Sequence, residues 1–305
     1  MTENNYLINK KQTKGIMCTL LGGICWGFSG TCGQYLFTYK NMESGWLTMV
    51  RMICAGIILI TINFIRKDSN LKEIWKERKD IFRLILFAIC GILVSQYTYL
   101  TAISYSNAGT ATVLQNLNPV MIMILVCIIN KKLPGKIETF CIILAASGTF
   151  LIATHGNISE LSISPEGLFW GIGSALGAVF YSLLPGNIVS KYGSMVVTGY
   201  AMFIGGIGFG LVSGYWGLKI NFDVGTVLGV FSIIIIGTAM AYTLYLKGVS
   251  EIGPVKASML ASIEPVSATL FSFFWMGTKF AFIDLIGFTC ILTTVFLLSK
   301  KPKER

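Results

Sequence analysis

Ten stretches, at about 15–37, 44–66, 81–103, 108–130, 135–154, 165–187, 195–217, 225–248, 254–276 and 280–299, are apolar over spanning length. A helix needs roughly 20 such residues to cross a hydrocarbon layer about 30 Å thick. Inside a bilayer no water pairs with backbone N–H and C=O groups, so a chain this often apolar must satisfy them within its own helices. The gaps are mostly short and leave little room for a soluble domain. Hydrophobic residues make up 54% and charged residues 12%, which is too little polarity to cover a soluble surface. The expected fold class is an all-α membrane protein of ten transmembrane helices.

The net charge of +10 does not read as a nucleic-acid surface, because the basic residues cluster between the apolar spans. If both termini are cytoplasmic, twenty of the Lys and Arg residues fall on the inside. Only Lys40, Lys219 and Lys279 fall outside, and Arg51 alone lies within a span. That asymmetry predicts both termini inside, in a multi-pass protein of the cell (plasma or inner) membrane. The first apolar stretch is too long for a signal-peptide core and is expected to remain in the mature protein. All eight cysteines sit in apolar segments without CxxC spacing and read as small core residues rather than metal ligands. Residues 67–80 have the pattern of a short amphipathic helix on the cytoplasmic surface, suited to anionic lipid or to a docking partner.

An internal repeat organises the spans. With a shift of 146, Gln96–Val120 lies over Tyr242–Val266 with seven identities, among them Tyr99/Tyr245, Pro119/Pro265 and Val120/Val266. The frame continues to Glu138/Asp284 and Phe150/Phe296. Five spans per half make the second half enter from the opposite side, so the repeats, 1–157 and 158–305, are expected to be inverted. Inverted repeats around a midplane site are the common architecture of secondary transporters. Gly23/Gly27, Gly173/Gly177, Gly206/Gly210 and Gly210/Gly214 have the small-xxx-small spacing that lets helix backbones approach closely.

The candidate site residues are the polar groups that this frame carries to mid-depth. Counting about 1.5 Å per residue from Pro254, Glu264 lies roughly 15 Å deep, where a carboxylate is costly and belongs in a bundle interior or wet cavity. It suits an amine or a coupled proton, and equally a structural acid beside a kink. Arg51 suits a substrate carboxylate, or Glu264 itself. Lys256 lies near the cytoplasmic end of the same span as Glu264, within snorkelling reach. Thr112, Gln115, Asn116 and Asn118 precede Pro119, which removes a backbone hydrogen bond, so their roles divide between cavity lining and serving the freed carbonyl. Gln96 and Tyr99 divide in the same way. Trp26, Trp170, Tyr181 and Tyr245 suit cation–π contacts or aromatic packing. His155, the sole histidine, reads as a loop residue.

With the repeat, Trp26-Gly27, Arg51 and Glu264-Pro265 in hand, the chain resembles the EamA family of the drug/metabolite transporter superfamily over nearly its whole length. More narrowly it is similar to the YicL-like branch, through Trp26 to Gly30, Gln34-Tyr35, Thr110 to Gln115, Thr154 to Asn157, Phe169 to Gly171 and Tyr245 to Gly248. The resemblance implies two inverted five-helix repeats around a central cavity, moving amino acids, other metabolites or drugs, often outward. The Gly-Glu that many members carry after the fourth and ninth helices is replaced here by Asn130-Lys131-Lys132 and Met276-Gly277-Thr278. The expected function is therefore secondary active transport by alternating access, in the direction of export, of a small polar metabolite such as an amino acid or a related amine or carboxylate. A lipid or lipid-linked-precursor flippase on the same fold is the alternative. No phosphate loop, catalytic constellation, cofactor or metal site is expected, and protons are a candidate coupling ion. The partners are a small-molecule substrate and the bilayer, and the sequence carries no signal for an oligomeric state.

Overall fold

The computed structural model describes residues 3–131, 133–155, 162–252, 257 and 260–299. Those residues are helical, with turns and short connections and no strands among them. In chain order the helices are α1 (Glu3–Lys40), α2 (Ser44–Ile65), α3 (Asn70–Glu73), α4 (Arg78–Leu86), α5 (Val94–Tyr105), α6 (Ala108–Gln115), α7 (Asn118–Ile129) and α8 (Lys136–Thr154). The second half continues with α9 (Pro165–Leu183), α10 (Gly186–Tyr192), α11 (Ser194–Ser213), α12 (Val224–Ile234), α13 (Ala241–Ile252), α14 (Ile263–Phe274) and α15 (Phe282–Ser299). One π-helical segment, Phe87–Leu93, joins α4 to α5, and another, Ile235–Met240, joins α12 to α13.

Among the described residues, seven helical segments are long and apolar enough to cross a membrane, against the ten expected. They are Gln12–Lys40, Ser44–Ile65, Arg78–Tyr105, Ala108–Ile129, Lys136–Thr154, Ser194–Ser213 and Val224–Ile252. Ile263–Phe274 and Phe282–Leu297 are shorter apolar helices, and part of the stretch expected at 254–276 lies outside the described residues. The stretch expected at 165–187 forms α9, whose opening Pro165-Glu166 and four glycines dilute its apolar character.

The halves interlock. α1 packs along α13 and α14, α9 packs along α5 and α7, α2 lies against α11, and α8 lies against α15. In the 146-residue frame these contacts map onto one another, so the helix arrangement fits a two-repeat layout. Local details recur in the same frame. The Glu138 carboxylate accepts the Gly135 N–H at 2.6 Å, and the Asp284 carboxylate accepts the Ala281 N–H at 2.8 Å, so each opens its helix in the same way.

Glycines set the close approaches. A Cβ on Gly27 would lie 2.7 Å from the Ala268 nitrogen and 2.8 Å from the Glu264 carbonyl oxygen, and one on Gly177 would lie 2.7 Å from the Ser95 Cα. Gly206 meets Ile53 in the same manner. Gly214 departs from the expected packing role: it ends α11 in the left-handed conformation at φ 72°.

The amphipathic helix expected at 67–80 is corrected by the structure. The segment holds a single turn of helix at Asn70–Glu73 and, after a break, the start of α4 at Arg78, and Leu71 and Ile74 are buried in protein rather than turned to lipid. Trp75 meets Tyr200 edge to face at 5.1 Å, and the Tyr200 hydroxyl donates to the Leu71 carbonyl at 3.1 Å. Beside it Lys191 donates to Glu77 and Asp80 at 2.7 and 2.8 Å, and the Tyr192 hydroxyl donates to Asp80 at 2.8 Å. These bonds tie the loop to α10 and α11, and the neighbouring carboxylates hold the Lys191 ammonium above the usual lysine range.

Candidate functional site

Both proline-bearing spans are broken at the same place. α6 ends at Gln115 and α7 begins at Asn118, ahead of Pro119, while α14 begins at Ile263, ahead of Pro265. Proline lacks the N–H that would continue the ladder, so the helix stops and restarts. The restart places Glu264 in the first turn of α14, where the positive end of the helix dipole favours a carboxylate. Glu264 is half-buried, and Gly23 and Gly27 of α1 press directly on the backbone around it.

Arg51 comes to the same region from α2. It is buried, with 5% of its surface exposed, and its Nε donates to the Thr238 hydroxyl at 3.4 Å. Thr238 belongs to the second π-helical segment, and its hydroxyl in turn donates to the Ile233 carbonyl five residues back. The widened turn thereby offers a hydroxyl to the guanidinium. Arg51, Glu264, Tyr99 and Tyr242 are electrostatic neighbours, yet Arg51 and Glu264 are not within ion-pair distance of each other. Among the described residues Arg51 is the one charged group acting on Glu264.

The aromatic candidates gather around this pair. The Tyr99 hydroxyl shares a 2.8 Å hydrogen bond with Thr112, and it sits where a Cβ on Gly30 would come within 2.7 Å. Trp26 packs against Tyr242 at 5.4 Å and Tyr245 at 5.2 Å. Tyr181 lies on Phe87 at 5.7 Å and is an electrostatic neighbour of Tyr242, Tyr245 and Thr198.

The remaining candidates are less committed. The Asn116 side-chain amide donates to the Thr112 carbonyl at 2.8 Å, so it serves that group rather than the Gln115 carbonyl four residues before Pro119. Gln115 and Asn118 are half-buried, with no side-chain hydrogen-bond partner among the described residues. The Gln96 Oε1 is buried and likewise unpartnered. Lys256 lies outside the described residues. His155 is not a free loop residue: it ends α8 in the left-handed conformation and places Nε2 3.0 Å from the Asp284 carboxylate.

Sequence reasoning missed three contributors. Tyr242 is the frame counterpart of Gln96, and that correspondence was the available signal. Thr238 follows Gly237, the counterpart of Gly91, and both glycines lie in π-helical segments. Gln34 is a hub: its carbonyl accepts the Ala108 N–H at 3.0 Å and the Ser272 hydroxyl at 2.9 Å, and its amide donates to Thr278 at 2.9 Å. It thereby ties α1 to the start of α6 and the end of α14.

Comparison with known proteins bears on this arrangement. The EamA-like transporter family matches residues 13–154 and again residues 165–300. The inner membrane transporter YicL of Salmonella typhimurium is 39% identical over 292 residues, covering 96% of this chain and 97% of that one. The transporter YyaM of Bacillus subtilis is 26% identical and covers 81% of each chain. A crystal structure 14% identical in sequence superposes with a TM-score of 0.60 over 95% of this chain and 96% of that chain, which speaks to the fold alone. The chain is a membrane transporter that belongs to the EamA-like transporter family, in its YicL-like branch.

Proposed function

We propose that the protein is a secondary active transporter that exports a small polar metabolite, such as an amino acid or a related amine or carboxylate, by alternating access. In this reading ten spans form two inverted five-helix repeats, 1–157 and 158–305, with both termini cytoplasmic. The observation that carries it is the placement of Arg51 and Glu264. Opposite charges from the two halves of the chain share one cluster without pairing directly. Each is costly to bury alone, and a zwitterion would answer both, with its amine at Glu264 and its carboxylate at Arg51. Tyr99, Tyr242 and Trp26 would form the walls, and Gln96, Gln115, Asn116 and Asn118 would supply further polar contacts. Outward movement is the direction that the family resemblance implies.

The test is the thermal stability of the purified protein against amino acids, amines, carboxylates, sugars, nucleosides and lipid precursors, repeated with Glu264→Gln. A ligand at one hundred times its dissociation constant stabilises by about 2.7 kcal/mol if it binds only the folded state. A shift with amino acids that is lost in Glu264→Gln supports the reading. A shift that survives the substitution makes Glu264 structural, and a response to lipid precursors alone transfers the function to a flippase. Counterflow in liposomes with and without a pH gradient then decides whether protons are coupled.

A further inference from the structure

Where α1 gives way to α2, a cavity of about 370 Å³ opens at the end of the bundle, lined by Phe37, Glu43, Tyr97, Thr101, Trp170 and Tyr215 among others. Its walls are aromatic and mutually braced. Tyr97 meets Trp170 edge to face at 5.6 Å and 81°, and Phe209 touches both Tyr97, at 5.3 Å, and Tyr215, at 5.5 Å. Tyr215 is seated over the first turn of α2 by Gly45, where a Cβ would come within 2.2 Å of the ring. Glycine at that position is what lets this wall stand beside Glu43.

The hydroxyls of the cavity floor are engaged, and one charge beside them is not. The Ser44 and Thr101 hydroxyls bond each other at 3.0 Å, and the Ser104 hydroxyl donates to the Thr101 carbonyl at 2.8 Å. Lys40, the nearby ammonium, is engaged by Asp223. Glu43 stands at the N-cap of α2, but its side chain accepts no cap hydrogen bond and has no ion-pair partner among the described residues. Tyr215 is its electrostatic neighbour. An uncommitted carboxylate beside aromatic walls is the chemistry that holds an organic cation, by charge on one side and ring faces on the other. The volume suits a small molecule.

We propose that this mouth is a binding site for a small organic cation carrying an apolar body. It is separate from the Arg51–Glu264 cluster: Glu43 precedes Arg51 by two helical turns, about 12 Å along α2. The inference goes beyond the transport reading and holds whether or not the bound cation is carried.

Calorimetric titration of the purified protein with 2-phenylethylammonium tests it, with neutral 2-phenylethanol as the control. Saturable binding of the cation is expected, with the alcohol binding at least about tenfold more weakly. Glu43→Gln should weaken the cation by a similar factor while leaving the alcohol unchanged. Gly45→Ala should weaken both by displacing Tyr215. Glu264→Gln should leave the cation's affinity as it was. No saturable binding, or equal affinity in Glu43→Gln, overturns the proposal. Loss in Glu264→Gln with retention in Glu43→Gln also overturns it, by moving the cation to the inner cluster, and leaves the transport reading standing.

Discussion

Asn116 and Ser262, 146 residues apart, hold the same backbone conformation, φ −70° and ψ 5° against φ −64° and ψ 2°. Each stands three residues before a proline, where its span breaks and restarts. The break is therefore a property of the repeat, and the side chains placed on it distinguish the halves. Asn118 and Glu264 are the residues it delivers in the first and second half.

Asn116 adds a side-chain hydrogen bond to the Thr112 carbonyl at 2.8 Å. Asn116→Ala should destabilise the protein by about 1 kcal/mol, as loss of one such bond does. Asn116→Ser, which installs the residue found at the equivalent position, should cost less. Unfolding midpoints in an SDS titration compare the two. Equal losses would show that the backbone break, and not the amide, sets the local stability.

Two glycines of α1 should behave oppositely. A Cβ at Gly27 meets the Glu264 carbonyl oxygen and the Ala268 nitrogen, which are backbone atoms that cannot turn aside, whereas at Gly33 it meets the Leu100 Cδ2 at an ordinary 3.5 Å. Gly27→Ala should cost about 1–3 kcal/mol by overpacking and disturb any ligand response that depends on Glu264. Gly33→Ala should be neutral or stabilising by up to about 1 kcal/mol through helix propensity. Thermal unfolding of both variants tests this, and equal effects would contradict the contact geometry.

Seven of the ten expected spans and the breaks ahead of Pro119 and Pro265 were legible because they are written in hydropathy and proline positions. The π-helical segments were not, because no proline or charge announces them. Gly91 and Gly237 fall in register, but a glycine pair alone also fits ordinary packing. Thr238 was invisible as a partner of Arg51 for that reason, since its hydroxyl reaches the guanidinium from within the widened turn. The 67–80 segment misled because an amphipathic pattern states that one face is apolar without saying whether lipid or protein covers it. Here Ile74 is fully buried against protein.

Lys40 and Asp223 join the end of α1 to the start of α12 at the surface, and Asp223 also caps α12 through the Thr226 N–H at 2.7 Å. The Lys40 ammonium, with the Thr226 N–H behind it, pulls the Asp223 carboxyl down to about 2. A carboxyl depressed on folding contributes stability above its unfolded pKa, about 3.9, and loses it as pH falls through the folded value. Between about pH 4 and pH 2 the wild type should therefore lose more stability than Asp223→Asn, which keeps an acceptor for the cap but has no charge to titrate. The difference should shrink in high salt, because the pair is exposed. Parallel melting curves across that window would remove the assigned role of the pair.

The proposed zwitterion site makes a prediction in which ligand and protein are changed together. If the amine of an amino acid meets Glu264, acetylating that amine should cost the wild type tenfold or more in affinity, about 1.4 kcal/mol, and cost Glu264→Gln little. If the carboxylate meets Arg51, the amide of the same amino acid should bind the wild type weakly and be indifferent to Arg51→Gln. Crossing the pairs supplies the control, since acetylation should still matter in a folded Arg51→Gln variant. Two matched couplings with no crossed coupling would assign one end of the substrate to each residue. Equal sensitivity of every ligand to either substitution would instead mean that Arg51 and Glu264 support each other's burial, and the substrate's charges would have to be met elsewhere in the cluster.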